Sequence, residues 1–519
     1  MTAIAYLDDW LTHHAADRPG DIAVVCSGRR VSYAELEARV DQCAAALMTR
    51  GIEAGDRVAA LACPGLEFWC SALATMRVGA IWMGLNPRYR PAELAYLLAD
   101  SRPELVLAVP ESEGRYYLEE IRHLEGAPAG GYRVEAIDAF VAGDKSPLAS
   151  AAPRLRDDAR AARAPALPAA LVYTSGSSGK PKGALLSHYG LVAGATMQVA
   201  QLEVSVQSMV VSFPINHVAC LADTCATTLI SGGKIVFQER FDPGRLLEAT
   251  AREHCTMLGG VPTMLQLLLD DPGLPTLDLA SLELVAWGGA AMPREYLERL
   301  SALAPRLMTL YGLTETSANI AFGDSREGLS ALSDSVGRTD PSVDCRVVDE
   351  QGLPCTPGQA GELQFRADFF FIGYWEREQA TRDAWTADGW FRSGDIGTLD
   401  AEGRLRLKGR RSEMFKSGGY NVYPRELEAV LEAVPGVAAA AVVGVPDPLY
   451  QEVGCAWVVP EAGAQLSESV LRGACREQLA NYKVPKHYRI VGELPLLPVG
   501  KIDKARLQRL ATEQLDTPR

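Results

Sequence analysis

With 519 residues, 48% hydrophobic and 22% charged, the chain has the make-up of a soluble globular protein long enough for more than one domain. Its net charge of −14 offers no general field for nucleic acid or an anionic membrane, so an anionic ligand needs a local cationic site. The N-terminus, Met1 to Trp10, has neither a basic segment nor an apolar core and does not read as a signal peptide. The apolar run from Val437 stops at Pro446, too short for a membrane span, so no membrane insertion is expected.

Residues 20–145 alternate short apolar runs with helical patterns. Ile22 to Cys26, Val58 to Ala62 and Leu105 to Val109 read as buried strands. Ser32 caps a helix with Glu35 as its capping-box partner, and Leu36, Val40, Cys43, Ala44 and Leu47 keep helical spacing. This alternation predicts α/β architecture, with mostly parallel sheet flanked by helices. Residues 144–168, rich in Ala, Pro and charge, read as a surface connection. The alternation resumes at Ser208 to Ser212, Lys234 to Phe237 and Leu282 to Ala286. From about residue 350 short strands and turns dominate, predicting a small β-subdomain. Beyond the charged stretch Gly409 to Lys416, Pro424 opens a helix, and the remainder reads as a compact α+β unit. The eleven cysteines form no Cys-x-x-Cys pair and do not cluster with the seven histidines. That is the pattern of reduced thiols rather than zinc ligands, and a cytoplasmic location is the expectation.

The stretch Tyr173-Thr-Ser-Gly-Ser-Ser-Gly-Lys-Pro-Lys-Gly183 follows a short apolar strand and reads as a phosphate loop. Its glycines let backbone N–H groups approach an anion, its hydroxyls add donors, and Lys180 and Lys182 add charge. It is not a Walker loop: Thr174 stands where that motif needs its first glycine, and Pro181 follows Lys180. A flexible linker is the plain alternative, but two lysines at fixed places between apolar stretches argue against it.

Three further stretches stand out: Tyr311-Gly-Leu-Thr-Glu-Thr316, Ser393-Gly-Asp-Ile-Gly397 and Gly500-Lys501. Each alone is weak, since an aspartate turn is usually only a turn. In this order, with Trp287-Gly-Gly-Ala-Ala291, Ser335-Val-Gly-Arg338, Gly409-Arg410, Lys416-Ser-Gly-Gly419 and Pro424, they resemble the adenylate-forming superfamily. That superfamily includes acyl- and aryl-CoA synthetases, peptide-synthetase adenylation domains and luciferases. The resemblance covers essentially the whole chain and is nearest to stand-alone CoA ligases. It implies a large N-terminal ATP- and acid-binding domain, residues 1–411, and a small mobile C-terminal lid, residues 412–519, with a hinge near Ser412. Relatives usually carry Asp or Lys at that hinge position.

The resemblance also implies roles. A carboxylate must be activated as a mixed anhydride, so charge neutralisation is the main task. Thr174, Ser175, Gly176, Ser177, Ser178, Gly179 and Lys182 would surround the pyrophosphate of ATP, and Glu315 would hold Mg²⁺. Thr314 would touch the α-phosphate, while Tyr311, Gly312, Gly289, Ala290 and Ala291 would border the adenine. Asp395 would accept the ribose hydroxyls beside Arg410. Lys501 would bridge the substrate carboxylate and the α-phosphate during adenylation. Lys416, Gly418, Gly419 and Lys486 would serve coenzyme A, with Lys483 beside them.

Phe213-Pro-Ile-Asn-His-Val-Ala-Cys220 matches the stretch that lines the acid pocket in that superfamily, with His217 toward the carboxylate. Its other expected walls are Asn216, Cys220, Leu221, Trp287, Gly288, Ser317, Ala318 and Ile320, with core packing an equal reading for Trp287. Amino-acid-activating relatives place an Asp where this chain has Pro214, so no amino acid substrate is expected. The implied reaction joins an aryl, alicyclic or medium-chain carboxylic acid, a small molecule, to CoA. A carrier protein in trans is the alternative acceptor.

Overall fold

The computed structural model describes residues 4–124, 131–142, 163–174, 180–418, 420–461, 463–497 and 500–515. Four sheets and the two-stranded hairpin Glu111–Ser112 with Arg115–Tyr116 build the first four-fifths of the chain among the described residues. The largest has seven strands, in the order Gly373–Tyr374, Lys182–Ser187, Pro168–Thr174, Ile81–Leu85, Arg57–Leu61, Leu105–Ala108 and Arg133–Ala136. Its last five strands run parallel, and the first two are antiparallel additions at one edge. A second sheet pairs Ser208–Val211, Lys234–Phe237 and Ile22–Cys26 in parallel and closes with the hairpin strand Arg29–Ser32. A third runs Met257–Gly260, Leu284–Gly288 and Leu307–Gly312 in parallel, then turns antiparallel through Asn319–Asp324 and Arg338–Thr339. The fourth is the small antiparallel sheet Asp344–Val348, Gly361–Arg366, Phe391–Leu399 and Leu405–Arg410.

Local chemistry explains several of these elements. The helix Tyr33–Thr49 starts at Ser32, whose hydroxyl accepts from Glu35 N while the Glu35 carboxylate accepts from Ser32 N. The helix Leu66–Arg77 is apolar on most of its surface because every residue in it except Glu67 is buried. Its last residue, Arg77, is a buried cation and is matched by Asp8, Glu37 and Asp41. The strands Arg57–Leu61 and Leu284–Gly288 lie one or two residues from where hydropathy alone sets them. Partner strands, not the apolar run, fix their ends.

The last part of the chain makes its own sheet: Tyr420–Val422, Phe415–Ser417, Gln451–Pro460 and Val437–Asp447, with His487–Ile490 alongside Gln451–Pro460. Helices Pro424–Glu432, Glu468–Gln478 and Lys504–Leu515 cover it. One face packs Phe415, Leu427, Leu431 and Leu471 together, and the other packs Val443, Val453, Trp457 and Leu507. The two bodies meet where Thr263 Oγ1 donates to Gly500 O at 3.4 Å and Asn421 Nδ2 donates to Glu350 Oε1 at 3.2 Å. No helix among the described residues is long and apolar enough to cross a membrane.

Candidate active site

The stretch from Tyr173 to Gly183 joins two antiparallel strands rather than a strand and a helix. Thr174 and Lys182 are direct cross-strand partners, and Thr174 Oγ1 donates to Lys182 O at 3.4 Å. Pro181 precedes the second strand, as its fixed φ and missing N–H favour. The strands therefore hold Thr174 and Lys182 at the mouth of the loop. Ser175, Gly176, Ser177, Ser178 and Gly179 lie outside the described residues.

Lys182 Nζ sits 4.7 Å from the centre of the Tyr374 ring, and Tyr374 donates its hydroxyl to Glu315 Oε1 at 2.7 Å. Burial, then the neighbouring Glu315 charge, pushes the Tyr374 phenol far up, so it stays a donor. Glu315 lies in the one-turn helix Thr314–Thr316 after the strand Leu307–Gly312. Thr316 Oγ1 accepts from Leu313 N and donates to Ala318 O, closing the turn. Ser317 then adopts φ 62°, and its hydroxyl is buried without a partner. Among the described residues no three acidic, His or Cys side chains gather as a self-sufficient metal cage. A lone buried carboxylate suits Mg²⁺, which takes one or two carboxylates and completes its shell with phosphate and water.

Tyr311, on the same strand, donates its hydroxyl to Asp395 Oδ2 at 2.6 Å. Arg410 faces Asp395 across the small antiparallel sheet, with Nε 3.2 Å from Oδ1. Burial raises the Asp395 carboxyl, and the Arg410 guanidinium opposes that rise. Each carboxylate oxygen keeps acceptor capacity beyond its one partner. Gly289 has φ +88°, and Ala290 and Ala291 beside it are exposed. At Gly312 a Cβ would come 2.4 Å from Ala318 O, so the backbone turn itself requires glycine there.

Lys501 enters this site from the C-terminal body. A Cβ on Gly289 would meet Lys501 Cε at 2.8 Å and Nζ at 3.6 Å. Burial, then the Arg410 charge, pulls the Lys501 ammonium down, while Asp395 and Asp223 support it. Its loop is tied by Leu497 N donating to Lys501 O at 2.7 Å and Gly500 N donating to Leu497 O at 2.8 Å.

His217 lies near Lys501, and burial followed by that charge lowers its imidazole to about 3. Its Nδ1 accepts from Ala219 N at 3.1 Å, so the neutral ring carries its proton on Nε2. Asn216 Nδ2 donates to Tyr89 Oη at 2.7 Å. Cys220, Leu221 and Ile320 are fully buried in the main core, and Trp287 packs in the second core cluster. Ala318 is buried where the helix His188–Leu202 passes, since a Cβ on Gly194 would touch it at 2.7 Å. Gly288 keeps partial exposure, as do Ala219, Asp223 and Asn319 beside the motif.

Gly418 and Lys486 gather elsewhere, around Tyr450 of the C-terminal body. Lys486 Nζ lies 5.4 Å from the Tyr450 ring centre, and Gly418, at φ +59°, sends its N–H to Tyr450 O. Lys416 is exposed, and Lys483 is already paired with Glu426 at 2.6 Å. Gly419 lies outside the described residues.

Two residues of the site escape motif reasoning. Tyr374 meets Glu315 only through the fold. Asp223 could have been noticed as the only charged residue between Val218 and Gly233.

Comparison with known proteins shows the family. Residues 11–375 match the family model described as AMP-binding enzyme, and residues 426–501 match the AMP-binding enzyme C-terminal domain. A feruloyl-CoA synthase of Amycolatopsis sp is 35% identical over 504 residues, 97% of this chain and 98% of that protein. An indoleacetate–CoA ligase of Aromatoleum aromaticum is 32% identical, covering 98% of each chain. The crystal structure of ATP-bound MatB from Rhodopseudomonas palustris superposes with a TM-score of 0.86 at 31% identity, over 99% of this chain and 100% of that one. The chain belongs to the AMP-binding enzyme family, the adenylate-forming enzymes, with their large N-terminal and small C-terminal bodies.

Proposed function

We propose that this protein is an ATP-dependent carboxylic acid–CoA ligase that forms AMP through an acyl-adenylate. The observation that carries this reading is Lys501 reaching from the C-terminal body to Gly289, beside Asp395, Arg410 and His217. A cation there meets the charge that develops when two anions combine.

In the first half-reaction a carboxylate oxygen of the acid bonds to the α-phosphorus of ATP, and the bond to pyrophosphate breaks. Lys501 neutralises the carboxylate and α-phosphate, and Thr174 and Lys182 face the departing pyrophosphate. His217 offers Nε2–H to the acid, and Asp395 with Arg410 holds the ribose. Glu315 would hold Mg²⁺, which supplies charge neutralisation at the phosphates when bound. In the second half-reaction the CoA sulfur bonds to the acyl carbon as the bond to AMP breaks.

We place the hinge near Ser412, between residues 1–411 and 412–519. Rotation there would withdraw Lys501 and bring Gly418 and Gly419 toward the thiol path. Ser412 lies in the turn that follows the strand Leu405–Arg410. The eleven unpaired cysteines fit a reducing compartment, and the cytoplasm is the proposed location.

The substrate is an aryl, alicyclic or medium-chain acid without an α-amino group. Pro214 supports the last point, because no carboxylate follows Phe213 to hold an ammonium. The relatives that act on feruloyl and indoleacetate groups are consistent with an aryl acid. The test is mass analysis of products from ATP, Mg²⁺, CoA and a panel of such acids. AMP with acyl-CoA is the expected result. AMP without a thioester would point to a carrier-protein acceptor, and ADP would contradict the proposal.

A further inference from the structure

Asp100 is a carboxylate to which the adenylation chemistry gives no part. Its side chain is 9% exposed, in the last turn of the helix Pro91–Ser101. A helix C-terminus disfavours a negative charge, so partners elsewhere must hold it. Tyr173 Oη donates to Asp100 Oδ2 at 2.8 Å, and the Arg377 guanidinium pairs with Oδ1. Trp375 Nε1 donates to Asp100 O at 3.1 Å. At the surface Arg102, just past the same helix, pairs with Glu376.

These partners come from two strands of the seven-stranded sheet. Tyr173 lies on Pro168–Thr174, and Trp375 to Arg377 follow Gly373–Tyr374. The strand Lys182–Ser187, which carries Lys182, runs between the two. Asp100 therefore ties together the neighbours of Lys182 on both sides. Gly183 makes the crossing possible. It is the direct cross-strand partner of Tyr173, and a Cβ on it would lie 3.3 Å from Tyr173 Cζ and 2.6 Å from Leu171 Cδ1. From the other side Trp375 N donates to Gly183 O at 2.8 Å. Successive strand residues point to opposite faces, so the tie sits behind the face on which Lys182 meets the Tyr374 ring. The same helix also holds the approach to that strand. Tyr96 donates its hydroxyl to Pro181 O at 2.9 Å, and Lys180 Nζ lies 5.7 Å from the Tyr96 ring centre. Burial, then the bond to Asp100, pushes the Tyr173 phenol far up, so it stays a donor.

We propose that Asp100 is a positioning residue for the nucleotide site. By tying the strands of Tyr173 and Tyr374 together behind Lys182, it sets the spacing between Lys182 and the Tyr374–Glu315 pair. That spacing governs how tightly the phosphates of ATP beyond the first are held. AMP lacks those phosphates and is indifferent to the tie. This rests on the ligase reading and deepens its account of the pyrophosphate end.

The test is calorimetric binding of ATP and of AMP to the full-length enzyme, with Mg²⁺ and without acid. The ratio of the two affinities is the readout, because a merely structural defect weakens both nucleotides alike. Asp100→Asn keeps the shape and loses one acceptor oxygen and the charge. Its ATP-to-AMP ratio should fall roughly 5- to 10-fold, with AMP binding within about twofold of wild type. Tyr173→Phe removes one bond of the tie and should lower the ratio by about 2- to 5-fold; it carries the same test where Asp100→Asn does not fold. Lys182→Ala should lower the ratio further, and adding Asp100→Asn to it should cost little more, since Asp100 acts through Lys182. An unchanged ratio in Asp100→Asn and Tyr173→Phe, equal weakening of both nucleotides, or additive losses in the double variant would overturn the proposal. Failure of the underlying reading shows separately. A Lys182→Ala protein with the wild-type ratio, or a wild type that binds neither nucleotide, would contradict the assigned pyrophosphate end and this inference with it.

Discussion

Tyr374 donates its hydroxyl to Glu315 at 2.7 Å while its ring lies under Lys182, so one side chain orients both charged residues at the proposed pyrophosphate end. Tyr374→Phe keeps the ring and removes the hydrogen bond. The expected loss is about 5- to 10-fold in kcat/KM for ATP, with a higher requirement for Mg²⁺. Pyrophosphate release against ATP and Mg²⁺ concentration measures both. Unchanged kinetics would mean that Glu315 is held without Tyr374.

Asp395 accepts from Tyr311 and faces Arg410, and its remaining acceptor capacity is assigned to the ribose. Asp395→Asn replaces an acceptor oxygen with an N–H₂ group. AMP binding measured by calorimetry should weaken roughly 10- to 100-fold. Equal binding by the two proteins would remove Asp395 from the nucleotide site.

Gly289 combines φ +88° with the close approach of Lys501. A side chain there costs about 1–2 kcal/mol in backbone strain and occupies the place of the lysine stem. Gly289→Ala should slow adenylation about tenfold or more, with less effect on thioester formation from supplied acyl-adenylate. Equal slowing of both would contradict the placement of Lys501 against this glycine.

Asp223 has a stability signature. Its carboxyl is raised from 3.8 to about 7 by burial, so folding favours the protonated form. That contribution is complete below about pH 4 and is lost as pH rises through about 7. Asp223→Asn does not titrate. Its Tm should exceed that of the wild type at pH 8 by roughly 2–4 °C, and the gap should close near pH 4. A gap that does not change with pH would show that the carboxylate is solvated in the folded protein.

Much of this architecture can be read in the sequence because it rests on local chemistry. The Ser32–Glu35 capping box forms as written, and Pro424 starts its helix. The strand Lys234–Phe237 lies where its apolar run sets it. The order of motifs points to the site because each motif is a short turn beside a strand end. What is not local is not legible. The Tyr374–Glu315 bond spans 59 positions. Motif position names the helix after His217 but not its faces, so Cys220 and Leu221 turn to the core while Asp223 keeps accessible surface. A π-helix makes that harder, since the 3.6-residue period no longer assigns faces.

The central claim is that Lys501 serves adenylation and then withdraws. Its most direct test is Lys501→Ala assayed in the two half-reactions separately. Acid-dependent pyrophosphate release should fall by roughly 10²- to 10³-fold. Acyl-CoA formation from supplied acyl-adenylate should stay within a few fold of wild type. Equal loss in both halves, or adenylation that survives the substitution, would contradict the account.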